Sequence, residues 1–111
     1  MALKNKIAAI EVTSFDAALL AGYMPINPGG LTEACFLIRI INNSDEDIDI
    51  SYDGITDHDF LPMGETLEIS FQNNSQPNNN VALIAKGTIV YVAGSGGSGT
   101  IYLAGYYSPQ Y

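Results

Sequence analysis

The side chains best able to do chemistry are concentrated in one stretch. Between Asp45 and Asp59 lie seven carboxylates (Asp45, Glu46, Asp47, Asp49, Asp53, Asp57 and Asp59) and no basic residue. Such clusters supply the roughly six to eight oxygens that calcium takes. EF-hand spacing fails, because its glycine position falls on Ile50 and its terminal glutamate position on Thr56 when counted from Asp45. Asp53, Asp57 and Asp59, around the Gly54 turn, are the residues able to form an irregular calcium site. A strand over 47–52 instead turns Asp47 and Asp49 to water, which makes the tract a solvated face. A third reading is a docking surface that steers a basic partner.

His58 is the only histidine and Cys35 the only cysteine. With Asp57 and Asp59 beside it, His58 has the makings of a general base. Adjacent residues on a strand face opposite ways, however, so both aspartates cannot orient one ring, and His58 reads as a loop residue. One imidazole and one thiol do not make a zinc site. Cys35 sits in the apolar run Ala34-Cys35-Phe36-Leu37-Ile38, where a free thiol behaves as a small buried hydrophobe. Gly94 to Gly99 spells G-x-G-x-x-G, but strand-forming Thr100-Ile101-Tyr102-Leu103 follows it and no βαβ unit can be completed. No catalytic residue is assigned.

The elements that must position these groups read as strands. Ile48, Ile50 and Tyr52 alternate with Asp47, Asp49 and Ser51, and Leu67, Ile69 and Phe71 with Thr66, Glu68 and Ser70. Ala34 to Ile41 is apolar except for Arg39 and predicts a central strand buried on both faces, with Arg39 at an edge or in an internal ion pair. Further strands are expected over 81–85, 88–93 and 100–107. Turns fall at Asn42 to Glu46, Asp53-Gly54 and Leu61 to Gly64; a polar loop covers 72–80, and Gly94 to Gly99 forms a hairpin tip. Asp16 is placed to cap a helical turn over Ala17 to Leu20. Turn signals about every 8–12 residues predict an all-β fold, a small antiparallel β-sandwich, jelly-roll-like, of about seven or eight strands.

Composition sets the outer limits. The 111 residues make one domain, 1–111, with a short N-terminal arm of about 1–6. Twelve acidic side chains against four basic give a net charge of -8, which argues against nucleic acid and anionic membranes as partners. No run approaches the roughly 20 apolar residues of a membrane span. Ile7 to Ile10 is too short for a signal peptide, so the chain is expected to be made and kept in the cytoplasm until it assembles. Lys4 and Lys6 lie on the arm, suited to an acidic face of a neighbour. Five of the seven tyrosines (Tyr91, Tyr102, Tyr106, Tyr107 and Tyr111) fall in the last 21 residues. Tyrosine is enriched at interfaces, so Tyr102, Tyr106, Tyr107 and Tyr111 join the lysines as candidate contact residues.

Four longer phrases carry a resemblance. Ile38-Arg39-Ile40-Ile41-Asn42-Asn43-Ser44 and Ile48-Asp49-Ile50-Ser51-Tyr52-Asp53-Gly54 open it; Leu61-Pro62-Met63-Gly64-Glu65-Thr66-Leu67-Glu68-Ile69 and Gly99-Thr100-Ile101-Tyr102-Leu103-Ala104-Gly105 continue it. Over residues 34–107 the chain resembles small β-sandwich virion structural proteins of tailed bacteriophages. That resemblance implies a non-enzymatic virion protein, as capsid decoration, a head–tail collar component or a fibre-attachment module, made in the host cytoplasm and carried in the virion. It also implies homo-oligomers and other virion proteins as partners. The alternative is a carbohydrate- or calcium-dependent binding domain, with calcium the one cofactor the acidic tract admits. A small hydrolase using His58 comes last.

Overall fold

The computed structural model describes residues 8–70 and 84–107. Its strands are β1 (Ala8–Ala9), β2 (Thr13–Asp16), β3 (Met24–Pro25), β4 (Leu37–Ser44), β5 (Ile48–Ser51), β6 (Asp59–Leu61), β7 (Thr66–Ser70), β8 (Tyr91–Ala93) and β9 (Gly99–Tyr107). A 3-10 turn, Ala17–Leu19, follows β2. Asp16 caps it, its carboxylate accepting from the Ala18 amide at 3.0 Å.

The pairing is nested and antiparallel: β2 with β9, β3 with β8, β4 with β7, β5 with β6. A chain paired in this way is one long hairpin rolled into two facing sheets, which is the jelly-roll arrangement. One sheet runs β9–β4–β7 with β1 and β2 both on the free side of β9; the other runs β3–β8–β5–β6. The expected antiparallel sandwich is therefore the fold. Its strand count rises to nine because the first strand is broken into β1 and β2. Across the break the Ile10 amide still donates to the Gly105 carbonyl at 3.0 Å.

Side chains that alternate inward from both sheets meet in the core. Ile38 and Ile40 come from β4, Ile48 and Ile50 from β5, Val92 from β8, and Ile101 and Leu103 from β9, all buried. The alternation over 66–70 holds too, with Leu67 and Ile69 half-buried against this core.

Several expectations are corrected. The apolar run at 34–41 is not a strand buried on both faces. β4 starts at Leu37 and lies between β9 and β7, with Ile38, Ile40 and Asn42 buried and Leu37, Arg39 and Ile41 only half-buried. No described residue forms a layer over that outer side. Arg39 is neither at an edge nor internal; it stands on the outer face, 3.9 Å from Glu68 of β7. Asn42, Asn43 and Ser44 belong to β4 rather than to a turn. Gly94 to Gly99 is not a hairpin tip, because β8 and β9 lie in different sheets and the segment crosses between them. It is tied to its own chain: the Ser98 amide donates to the Asp45 carboxylate at 2.8 Å, and the Gly97 amide to the Ala17 carbonyl at 3.1 Å. Gly99 has φ of 110°, and a Cβ there would sit 2.4 Å from the Asn43 carbonyl oxygen, so the crossing needs a glycine. The strand expected over 88–93 is regular only from Tyr91, and that over 81–85 is represented by Ile84, bridged to Cys35. The arm at 1–6 with Lys4 and Lys6, the loop at 72–80, Phe71, residues 81–83 and Tyr111 lie outside the described residues.

Candidate functional site

Part of the acidic tract lies over the outer side of the four-stranded sheet. On the four-stranded sheet, Phe60, Asp49 and Ala93 stand side by side across β6, β5 and β8. One row on, Ser51 pairs with Tyr91, and here residues 52–58 fold back over the sheet. The serine is fully buried as a result, against the alternation that puts it in water. Its hydroxyl accepts from the Gly54 amide at 2.9 Å and donates to the Asp53 carboxylate at 2.9 Å. Gly54, at φ of 77°, lies on the Tyr91 ring; a Cβ there would come within 3.1 Å of it.

The predicted calcium ligands are drawn to three separate partners. Asp53 accepts from the Ile55 amide at 2.8 Å and the Thr56 amide at 3.0 Å. These backbone donors, with Ser51, pull its carboxyl down to about 2. Asp57 accepts from the Tyr23 hydroxyl, and that bond pushes the phenol up to about 12. Asp59 pairs in register with Ile50 and so faces the core side, where it accepts from the Tyr52 hydroxyl at 2.7 Å. Burial and then Asp59 raise the Tyr52 phenol above its ordinary value. Among the described residues no three His, Cys, Asp or Glu side chains converge as a metal site. Asp49 is raised by desolvation first and then, to a smaller extent, by the neighbouring charge of Asp57.

His58 is engaged by residues other than its sequence neighbours. Its Nδ1 accepts from the Tyr52 amide at 3.0 Å, its ring stacks on Tyr52 at 5.5 Å, and Nε2 lies 3.9 Å from Asp53. Accepting at Nδ1 places the neutral ring's proton on Nε2, toward Asp53. Cys35 is fully buried, and desolvation raises its thiol above the ordinary range. It touches the Cβ position of Gly105 on β9, where a side chain would come within 3.1 Å of the sulfur. Between the sheets opens a cavity of about 250 Å³ lined by Ile38, Tyr52, Ile69, Ile84 and Thr88.

The tyrosines divide between faces. Tyr102 and Tyr106 stand on the outer side of β9, opposite Ile41 and Leu37 of β4, with Ala104 opposite Arg39 between them. Tyr107 pairs with Ala8 and points the other way along the alternation. The two outer faces are thus unlike, one acidic and the other aromatic and aliphatic.

Edge pairing, one route to self-assembly, is blunted on the four-stranded sheet. Edge strand β3 is two residues long and ends in Pro25, and edge strand β6 points Asp59 toward the core side. Short strands, proline and inward charge are devices that discourage edge pairing without lysines.

Two buried asparagines went unread in the sequence. Asn42 donates to the Glu46 and Leu61 carbonyls at 2.8 and 3.1 Å and accepts from Ser44. Asn27 donates to the Thr88 carbonyl at 3.1 Å and accepts from the Val90 amide at 2.8 Å, tying the loop after β3 to the approach to β8. Their turn-like surroundings gave no sign of burial. Compared with family models, curated proteins and solved structures, the chain matches none.

Proposed function

We propose that the chain is a non-enzymatic structural protein of a tailed-phage virion, assembling with its own copies and with other virion proteins through its outer surfaces. The observation that carries this reading is the use made of the reactive groups. His58 accepts a backbone hydrogen bond, Asp53 caps a loop, and Cys35 is sealed in the core. What the chain then offers a partner is shape and surface. Jelly rolls serve both viral capsids and lectins, so the architecture accommodates this role without selecting it. The resemblance over 34–107 adds the virion setting.

The lectin-like alternative needs free carboxylates, and Asp53, Asp57 and Asp59 are each hydrogen-bonded within the chain. A glycan array and calcium calorimetry, run beside sedimentation velocity with and without chelator, separate the two. The structural reading expects a discrete oligomer indifferent to chelator, with no glycan retained and no calcium heat. A monomer that retains a glycan, or a mass that changes with calcium, would overturn it.

A further inference from the structure

We propose that the outer face of the five-stranded sheet is a self-complementary docking surface on which two copies of this chain meet. This rests on the assembly reading and names its surface. Tyr102 and Tyr106 on β9, with Leu37 and Ile41 on β4, form the aromatic and aliphatic ground of the face. Between Leu37 and Ile41 stands Arg39, 3.9 Å from Glu68 on edge strand β7, the two open to solvent at 40% and 57%. The pair is loose enough to re-form between copies.

Three arguments select a second copy as the occupant. The first is hydropathy. A strand with one face in the core and the other in water alternates apolar with polar residues, yet β4 begins Leu37-Ile38-Arg39-Ile40-Ile41. Leu37 and Ile41 lie on the outer side without a described layer above them, so their apolar character answers to something beyond the core. The second is charge. The chain carries -8, and like faces brought together ordinarily repel. Among acids within the strands of this face, Glu68 faces Arg39 and Asp16 caps the 3-10 turn with its carboxylate; Glu11 lies exposed at the edge, in the break between β1 and β2. A two-fold contact sets Arg39 of each copy against Glu68 of the other, the self-complementarity that an isologous interface requires. The acidic face of the other sheet offers no cation for such an exchange among the described residues of β5, β6 and β8.

The third is area. At about 3.4 Å per residue, β9 and the β1–β2 run are each about 30 Å long, the eight residues of β4 about 27 Å and the five of β7 about 17 Å; at about 4.8 Å spacing they make a face of roughly 500 Å², so that two copies have about 1,000 Å² to bury in all. Full overlap of the two faces just reaches the roughly 1,000 Å² of a specific interface.

Sedimentation velocity of the full chain tests the proposal, with circular dichroism to verify folding. Wild type is expected to sediment as a dimer or a multiple of it. Tyr102→Glu should weaken association at least tenfold while leaving the spectrum unchanged. Arg39→Glu should do the same, and the exchanged variant Arg39→Glu/Glu68→Arg should restore it. Asp57→Asn, on the acidic face, should leave the mass as it is. A wild-type oligomer that persists unchanged in folded Tyr102→Glu and Arg39→Glu would overturn this face and leave the assembly reading standing. A wild type that stays monomeric at all concentrations would overturn both.

Discussion

The two outer faces of the sandwich are built by the same rule and end in opposite chemistry. On the four-stranded sheet the outward row holds Phe60, Asp49 and Ala93, and the next row is roofed by residues 52–58. Burial, and then the charge of Asp57, raises Asp49, and Asp53 and Asp57 are held in place by Ser51, backbone amides and Tyr23. On the five-stranded sheet the outward rows are Tyr102 with Ile41, Ala104 with Arg39, and Tyr106 with Leu37. One face gathers carboxylates; the other is the proposed meeting surface. A net charge of -8 is compatible with self-assembly when the charge is segregated in this way.

The largest expected effect separates the inner and outer sides of one strand. Ile40 is fully buried and Ile41 half-buried, one residue apart on β4. Urea unfolding at low concentration should show Ile40→Ala costing about 2–5 kcal/mol. Ile41→Ala should cost about 1 kcal/mol or less in the same assay and act instead on association. Equal costs would mean that both sides of β4 are core, and the contrast between faces would disappear.

Asn42→Ala comes next. It removes the donor that satisfies the Glu46 and Leu61 carbonyls in the interior, for a loss of about 1–3 kcal/mol by the same measurement.

A smaller and local effect belongs to the acidic face. Asp53 has an ordinary value of 3.8 and is held down to about 2, so its contribution is fully present above pH about 4 and is lost as pH falls through about 2. The Ile55 and Thr56 amides should lose hydrogen-exchange protection, measured against their intrinsic rates at each pH, as pH falls through that window and in Asp53→Ala at neutral pH, while β9 amides on the other sheet keep their protection.

The smallest effect is spectroscopic. Tyr23 should ionise near 12 in an ultraviolet phenolate titration, and Asp57→Asn should bring it back toward 10.0 without altering the mass. An unmoved titration would detach Tyr23 from the acidic face.

Much of this was legible in the sequence, and the exceptions share a cause. The alternation at 48–50 and 66–70, the turn at Pro62 to Gly64 and the Asp16 cap are local, and each formed as its residues dictate. What failed depended on which distant surface a segment meets. An apolar run has no direction: Ala34 to Ile41 reads alike whether its second side faces core or a partner. Gly94 to Gly99 reads alike whether it closes a hairpin or crosses between sheets. Asn42 sits among turn-forming residues, but one of its partners lies 19 residues away. His58 takes its acidic neighbour from Asp53 across the loop rather than from Asp57 or Asp59 beside it, because the stacked Tyr52 ring fixes its orientation.

The most direct test of the contrast between the faces is hydroxyl-radical footprinting of the chain at dilute and assembling concentrations. Tyr102, at the centre of the aromatic face, should lose reactivity as the chain assembles, and Phe60, 58% exposed on the acidic face, should keep it. Protection of Phe60 with Tyr102 unchanged would contradict the account and move the contact to the other sheet.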